Sequence, residues 1–461
     1  METMFLTDTI AAIATGSLMS AIGIIRISGD GAIAAADKLF RAKNATKLKD
    51  AKNGYMYYGK LYNTNGELID LCLCVLSRAP NSYTGEDTVE LHLHGSPVVL
   101  SMVMQALTLC GVRQAQAGEY SKRAFLNGKL DLTQAEAVID LIEAETPGAA
   151  KNAAGQLSGA LCARMEAVYN RLLDIMAHFH AVLDYPDEDI DEFKLKGYLS
   201  VLRECEDELS SMARTYELGK VMRTGVPVAI IGRANTGKSS LLNALLGYER
   251  AIVTDVAGTT RDTIEEKVLI GNVLLRLIDT AGIRKTNDKV EKLGIKRTLD
   301  AIGEAGLIIV VLDGSEKLKE EDYSILSSTP PNIPKIAVIN KSDLPAAFDL
   351  TELAKFEFIY CRVSALTREG FDLLDEEIQK MFPDLRKQVS GEVITNIRHS
   401  DAISRAADSV ALALGALSAA VTPDAVVTDI EAALAAIGEV TGKTVREDIV
   451  SRIFERFCVG K

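Results

Sequence analysis

The sequence predicts a multidomain α/β protein, and three observations lead to that fold class. An apolar run at 226–231 is followed by G-R-A-N-T-G-K-S at 232–239 and then by a helical pattern, which is typical of a phosphate-binding P-loop domain. Most segments before residue 129 have the period of strands, and helical periodicity dominates on both sides of the P-loop domain. We therefore expect an α+β amino-terminal domain and a helical domain split in sequence by an inserted P-loop domain.

The amino-terminal segment is predicted to form its own domain over residues 1–127. Strands are expected at 21–28 and 87–94, and a hairpin with an Asn-Gly turn is expected at 55–76. Glu90, His92 and His94 alternate along the last strand, so they share one face. They could line a pocket or bind a metal, but a solvated strand face is favoured for the two histidines. The segment has no catalytic signature of its own.

The helical segments begin at Asp131, where the hydrophobic period changes to 3.6. The pattern predicts helical parts at 128–221 and 385–461, with the inserted domain at 222–384. One of the predicted helices runs to about Leu218. From the residues alone, the last residues of the chain would be a frayed tail.

Composition and charge exclude several classes of function. With 461 residues, of which 48% are hydrophobic and 25% are charged, the chain is expected to form two or three soluble domains. A net charge of −13 gives no overall basic field, so any contact with RNA needs a local patch. There is no apolar run of membrane-spanning length, no secretion signal and no C-x-x-C pair, so we expect a cytoplasmic protein without membrane association. Cys72 and Cys74 are expected to be buried on a strand.

The P-loop residues have separate physical roles. Gly232 and Gly237 let the backbone wrap closely around a phosphate chain, and the start of the next helix supplies aligned N–H donors. Lys238 adds a positive charge for the outer phosphates, and the Ser239 hydroxyl can bind Mg²⁺.

Further elements follow the P-loop in the order that a GTPase needs. The aspartate of D-T-A-G at 279–282 can hold the Mg²⁺ shell, and the glycine N–H can contact the γ-phosphate. The aspartate of N-K-S-D at 340–343 offers two acceptor oxygens that match the adjacent N–H and amino donors of guanine. Residues 364–366 fit the loop that steadies the base, and a threonine of G-T-T-R-D at 258–262 can complete the Mg²⁺ shell. This order predicts a Ras-like P-loop GTPase domain and disfavours a kinase or a general ATPase.

One expected residue is absent. Ras-like switches have a glutamine after D-x-x-G to orient the attacking water, and this chain has Ile283 there. Hydrolysis therefore needs another way to orient water and to offset the developing charge. By charge, the candidates are Arg261, Arg284, Glu291 or a cation from solution.

These motifs resemble the TrmE-Era-Septin class of GTPases, and nearly the whole chain is similar to its MnmE (TrmE) family. The resemblance is carried by N-S-Y-T-G-E-D at 81–87, the segment at 123–137, D-Y-P-D-E-D at 184–189, G-T-T-R-D at 258–262 and F-C-V-G-K at 457–461. It implies a homodimer whose amino-terminal domain is folate-binding-like and mediates dimerisation.

The resemblance also implies a set of site residues and cofactors. Arg26, Glu90, Lys129 and Lys461 would contact 5-formyltetrahydrofolate, with methylene-tetrahydrofolate in turnover, and Cys458 would point toward the same pocket as a catalytic candidate. Potassium would compensate for the missing glutamine, with Asn235, Thr254, Val256 and Thr259 as its ligands. Glu291 would orient water, and Ser239 and Thr260 would bind Mg²⁺. The residues implied to contact GTP or GDP are Asn235, Thr236, Gly237, Lys238, Ser239, Ser240, Thr254, Asp255, Val256, Ala257, Gly258, Thr259, Thr260, Asp279, Thr280, Ala281, Gly282, Asn340, Lys341, Ser342, Asp343, Ser364, Ala365 and Leu366.

The partner implied by the resemblance is the FAD-dependent MnmG (GidA) protein, in a heterotetramer. Together the two proteins would attach an aminomethyl or carboxymethylaminomethyl group to C5 of the wobble uridine of certain tRNAs. Two other functions stay open. A ribosome-assembly switch of the Era type would want a basic RNA-binding module, but the helical tail after Asp401 is acidic and rich in alanine. A folate-dependent aminomethyltransferase with a vestigial switch is disfavoured because every GTPase element is intact.

Overall fold

The chain forms two compact units, the first made of residues 1–139, 157–190 and 420–461 and the second of residues 140–156 and 191–419. The computed structural model describes residues 8–16, 18–184, 192–247, 266–278, 302–386, 391–419, 423–445, 447–455 and 457–460. Among the described helices, none is both long enough and apolar enough to cross a membrane.

The first unit is built on a seven-stranded sheet. Its spatial order is β3-β4-β5-β6-β2-β1-β7, and all neighbours are antiparallel except β1 and β7. The strands are β1 (Ile10–Ile13), β2 (Ile22–Ser28), β3 (Phe40–Ala42), β4 (Met56–Tyr62), β5 (Leu68–Ser77), β6 (Thr88–His94) and β7 (Arg113–Gln114).

Helices α1 (Ala32–Leu39) and α2 (Pro97–Leu109) pack on one face of this sheet. Because strand side chains alternate between faces, every second residue enters that core, and Cys72 and Cys74 are buried there as predicted. The intervening residues lie on the other face, where Tyr58 and Leu73 remain exposed.

Twelve more described α-helices follow the seven strands of the first sheet along the chain. They are α3 (Glu119–Leu126), α4 (Leu132–Ile142), α5 (Pro147–Leu157), α6 (Ala160–Asp184), α7 (Glu192–Arg214), α8 (Tyr216–Thr224), α9 (Lys238–Leu246), α10 (Glu320–Ser328), α11 (Phe371–Met381), α12 (Ile397–Ser418), α13 (Pro423–Thr441) and α14 (Glu447–Phe454). In the first unit α6 packs against α13, and in the second α7 packs against α12. Each pair joins a helix before the P-loop to one after it.

The carboxy-terminal segment packs within the first unit. Phe457 is buried beside Phe454, with ring centroids 5.2 Å apart. Val459 forms an antiparallel bridge with Ala117, and the Gly118 N–H donates to the Cys458 carbonyl (3.4 Å). The interpretation of these residues as a frayed tail was therefore wrong, because the backbone bridge and the buried phenylalanine hold them in place.

The second unit contains a six-stranded sheet of order β13-β12-β11-β8-β10-β9, parallel except for the edge strand β9. An apolar core lies on each face, one containing residues of α9 and α11 and the other a leucine of α10. Every residue of β11 is buried, as expected for a central parallel strand. The strands are β8 (Val226–Ile231), β9 (Glu266–Ile270), β10 (Val273–Leu277), β11 (Leu307–Asp313), β12 (Lys335–Asn340) and β13 (Ile359–Arg362).

The predicted multidomain α/β class is confirmed, including the P-loop between β8 and α9. The helix expected to run to about Leu218 is instead two helices, because the chain turns at Thr215, whose hydroxyl donates to the Met212 carbonyl (2.7 Å), and α8 continues to Thr224. The two units share the predicted helical segments between them, so the domain bounds 1–127, 128–221, 222–384 and 385–461 stay a prediction.

Candidate functional site

The P-loop takes backbone conformations that restrict which residues it accepts. Gly237 has φ +92° and precedes α9, and a Cβ atom at this position would collide with the side-chain amide of Asn340. A Cβ at Gly232 would collide with the Val311 carbonyl. Asn235 is left-handed at φ +62°, a conformation that asparagine tolerates better than most residues. The loop is therefore shaped by close backbone approach at two glycines.

Lys238 is held inside the loop by backbone oxygens. Its Nζ donates to the carbonyls of Gly232 (2.7 Å) and Arg233 (2.6 Å). Burial lowers the pKa of the Lys238 ammonium, and the nearby positive charge of Arg233 lowers it further. Both effects favour binding of an anion, because a phosphate beside the ammonium would offset the cost of a buried positive charge.

Asn340 ties the P-loop to the loop predicted to bind the base. Its Nδ2 donates to the Thr236 carbonyl (3.0 Å), and its Oδ1 accepts from the Ala365 N–H (3.0 Å). Its side chain is buried, so water does not compete for these bonds. The structure thus brings together residues predicted from three separate motifs.

The remaining residues of N-K-S-D are fixed by their neighbours. Lys341 is left-handed at φ +66°, and its Nζ lies 2.5 Å from the Asp313 carboxylate at the end of β11. Burial acts to raise the pKa of Asp313, but Lys341 and Ser315 outweigh it and hold that pKa below its usual value. Asp343 is exposed, and one of its oxygens accepts from the Ser364 hydroxyl (2.6 Å). This leaves Asp343 at the surface of the loop, where guanine is predicted to bind.

Sequence reasoning missed a clamp that joins the P-loop to two acidic residues. The Arg233 side chain is only 8% exposed and pairs with Glu316 (2.7 Å) and Asp322 (3.2 Å). Asp322 also accepts from the Lys319 N–H at the start of α10 (3.0 Å). No motif marks these acidic residues, because they lie more than eighty positions away along the chain.

In the first unit the structure brings Arg26 and Glu90 together. They face each other on β2 and β6, with Nε 2.8 Å from Oε1. The Arg26 guanidinium lies over the rings of Tyr83 (5.5 Å) and Tyr120 (5.7 Å). His92 Nε2 lies 3.4 Å from Glu90, so it is part of this cluster. Sequence reasoning missed the two tyrosines, although Tyr83 lies in N-S-Y-T-G-E-D.

The other residues predicted for this pocket are less closely associated with it. Lys129 is exposed and packs near Gly85, while Cys458 is exposed and its backbone meets the start of α3. No group of three or more metal-ligating side chains occurs among the described residues, so His92 and His94 belong to no such cluster. The predictions that lie outside the described residues are Lys461, residues 254–260, residues 279–282, Arg261, Ile283, Arg284 and Glu291.

Comparisons with known proteins cover nearly the whole chain. The family model "MnmE helical domain" matches residues 132–458, and "GTP-binding protein TrmE N-terminus" matches residues 9–129. The tRNA modification GTPase MnmE of Clostridioides difficile (strain 630) is 40% identical over 461 residues, which is 99% of this chain and 100% of that protein. The protein of the same name from Alkaliphilus oremlandii (strain OhILAs) is 40% identical over 462 residues, with the same two coverages.

One similar solved structure matches a smaller part of the chain. A single-residue variant of Aquifex aeolicus Era bound to GDP·AlF4− covers 40% of this chain and 66% of that chain, at 26% identity and a TM-score of 0.26.

Proposed function

The chain belongs to the MnmE family of tRNA modification GTPases, and from that premise we propose that it is a K⁺-dependent GTPase acting on tRNA with an FAD-dependent MnmG (GidA) partner. The resemblance inferred from motifs is confirmed, as is GTP hydrolysis as the class of activity. The proposed reaction adds an aminomethyl or carboxymethylaminomethyl group to C5 of the wobble uridine, with a tetrahydrofolate one-carbon donor. Full-length identity of 40% supports this proposal.

The observation that carries the nucleotide part is the position of Asn340 between the P-loop and the base loop. Its two hydrogen bonds fix the spacing between the phosphate-binding and base-binding ends of one pocket. A guanine held at Asp343 would then place its phosphate chain over Lys238 and the start of α9. This geometry favours a nucleotide of fixed length, as expected for a GTPase.

The donor chemistry of the loop fits the two proposed cations. Ser239 lies in the first turn of α9 and offers a hydroxyl oxygen for Mg²⁺, with Thr260 as its proposed companion. Asn235, which has a left-handed backbone conformation, offers its side-chain amide oxygen and its backbone carbonyl oxygen to K⁺. When bound, the two cations supply positive charge beside the phosphate that is transferred. Lys238 binds the same phosphates, and Glu291 is proposed to orient the attacking water.

The cluster of Arg26 and Glu90 fits a folate. Arg26 presents a guanidinium in contact with two tyrosine rings, and Glu90 offers carboxylate oxygens to the donor edge of a pterin. Lys129 and Lys461 are proposed to bind the carboxylates of the glutamate tail. Cys458 is proposed to face the same pocket, in a homodimer of this chain.

Hydrolysis of GTP in KCl and in NaCl tests the nucleotide proposal. Wild-type protein should hydrolyse GTP faster in KCl, and Asn235→Ala should lose that difference while keeping its affinity for GDP. Glu291→Ala should lose hydrolysis and keep GTP binding. Asn332→Ala, at an exposed asparagine of the same unit, is the control and should behave as wild type. Equal rates in the two salts would refute the K⁺ dependence.

Two further measurements test the tRNA and folate proposals. In a deletion strain, the wild-type chain should restore the modified wobble uridine, as measured by mass spectrometry of tRNA nucleosides. Binding of 5-formyltetrahydrofolate should be lost in Arg26→Ala but kept in Arg214→Ala, which removes an exposed arginine of the second unit. If the wild-type chain restores the modified uridine but does not bind 5-formyltetrahydrofolate, the proposed folate donor is refuted and the proposed tRNA modification stands.

A further inference from the structure

The edge of the first sheet carries an unusual concentration of positive charge. Between residues 38 and 62 there are seven lysines and arginines and a single carboxylate, Asp50, in a chain whose net charge is −13. Lys43, Lys47, Lys49 and Lys52 lie in the segment between β3 and β4, and all four are exposed. This edge is therefore the kind of local patch that an acidic protein needs for contact with RNA.

The other three cations lie on the adjoining strand and helix. Arg41 on β3 and Lys60 on β4 are directly opposite each other in the antiparallel register. Like charges in that position destabilise a sheet, so folding alone does not favour the pair. Lys38 completes the set at the end of α1, and none of the seven cations has an ion-pair partner in the part of the chain that the structure describes.

Aromatic rings and a polar depression accompany these charges. Tyr55 and Tyr58 are 57% and 48% exposed, and Tyr55 stands edge-on to Tyr57 with centroids 4.9 Å apart. A depression of about 580 Å³ is lined by Lys38 and Arg41 together with polar groups of the β4–β5 turn. Cations bind the phosphate backbone, and exposed rings can stack on unpaired bases.

We propose that the sheet edge formed by residues 38–62, hereafter the basic edge, binds the phosphate backbone of tRNA. The inference rests on the proposed function, which is the reason for naming tRNA as the RNA. It goes beyond that function by assigning the surface that binds the substrate. Protection of an edge strand from aggregation also uses lysines, but β3 is only three residues long and four of the lysines lie outside any strand. A lipid surface would equally attract the cations, and the test includes it.

The test compares two triple variants of the full-length protein. Lys43→Gln, Lys47→Gln and Lys52→Gln together remove three charges from the basic edge. Lys196→Gln, Lys220→Gln and Lys317→Gln remove three exposed charges from the second unit and serve as the matched control. Affinity for labelled tRNA is measured by fluorescence anisotropy over a range of KCl concentrations. Bulk tRNA is suitable because phosphate contacts are independent of sequence.

The basic-edge variant should bind tRNA tenfold to a hundredfold more weakly at about 0.1 M salt, and the slope of log affinity against log salt should fall by about two. The control should match wild type in affinity, and all three proteins should share one thermal unfolding midpoint and one GTP hydrolysis rate. Equal affinities of the two variants for tRNA would overturn the inference. Lysine-dependent binding to vesicles of phosphatidylcholine and phosphatidylserine, without binding to tRNA, would also overturn it.

The same variants separate this inference from the proposed function. If the wild-type chain restores wobble-uridine modification and the basic-edge variant restores it equally, with unchanged tRNA affinity, the basic edge is refuted and the function stands. If the wild-type chain restores nothing in that strain, the proposed function fails. In that case a loss of tRNA affinity confined to the basic-edge variant would still support the basic edge as an RNA-binding surface.

Discussion

Replacing Asn340 by alanine should weaken nucleotide binding far more than the size of the change suggests. The substitution removes two hydrogen bonds, one to the Thr236 carbonyl and one from the Ala365 N–H. Each contributes about 1 kcal/mol net, and leaving the two backbone partners unsatisfied adds about 1–3 kcal/mol, so we expect destabilisation of about 3–5 kcal/mol. If about half of this is the energy that couples the two loops, the Kd for GDP should rise tenfold to a hundredfold.

Fluorescence titration with a labelled GDP measures this effect, and thermal unfolding with and without GDP measures the change in stability. The control is Asn332→Ala, which removes an exposed asparagine from the same unit and should leave both quantities at their wild-type values. The reasoning is refuted if Asn340→Ala binds GDP within about twofold of wild type, because the two loops would then be held together by other contacts.

Three other predictions concern single positions in either unit. Gly237→Ala should abolish GDP binding, because the added Cβ collides with the Asn340 amide and φ is +92°; a titration that still saturates would contradict this. Burial opposes ionisation of Glu119, but two arginines outweigh that effect and lower the pKa of its carboxyl group below the usual 4.5. The ionised carboxylate therefore stabilises the fold at a pH above 4.5, and this stabilisation is lost as the pH falls through the lowered pKa. Glu119→Gln should therefore lower the unfolding temperature at pH 7 and reduce its further fall on acidification, and a pH series with the wild-type slope would oppose the reasoning. Iodoacetamide should modify the exposed Cys458 and spare Cys74, whose pKa is raised by burial; peptide mass spectrometry of the folded protein checks this, and equal labelling would show that the strand opens.

Local patterns predicted most of the elements, and long-range contacts explain what they missed. The P-loop and N-K-S-D were predictable because each motif is short and performs its role with adjacent residues. The bond from Asn340 to Thr236 was not predictable, because it joins positions 104 residues apart and depends on the order of parallel strands. The prediction of a frayed carboxy-terminal segment was wrong for the same reason, because the contacts that hold the segment are also distant along the chain. Residues 457–460 have no periodicity of their own, and the bridge from Val459 to Ala117 together with the buried Phe457 holds them in place.

The braced P-loop implies that affinity and rate depend on different residues in this protein. Arg233 joins the P-loop to two acidic residues, Asn340 joins it to the loop predicted to bind the base, and the Lys238 ammonium is held by backbone carbonyls. A loop fixed by protein contacts needs little rearrangement when a nucleotide binds. These contacts therefore lower the Kd for the nucleotide, because less free energy is lost in ordering the loop. Neither clamp offers a group that orients water, and Ile283 cannot do so. Variants of the clamps should therefore raise KM, whereas Glu291→Ala should lower kcat, and a shared change in both parameters would show that the two roles are not separate.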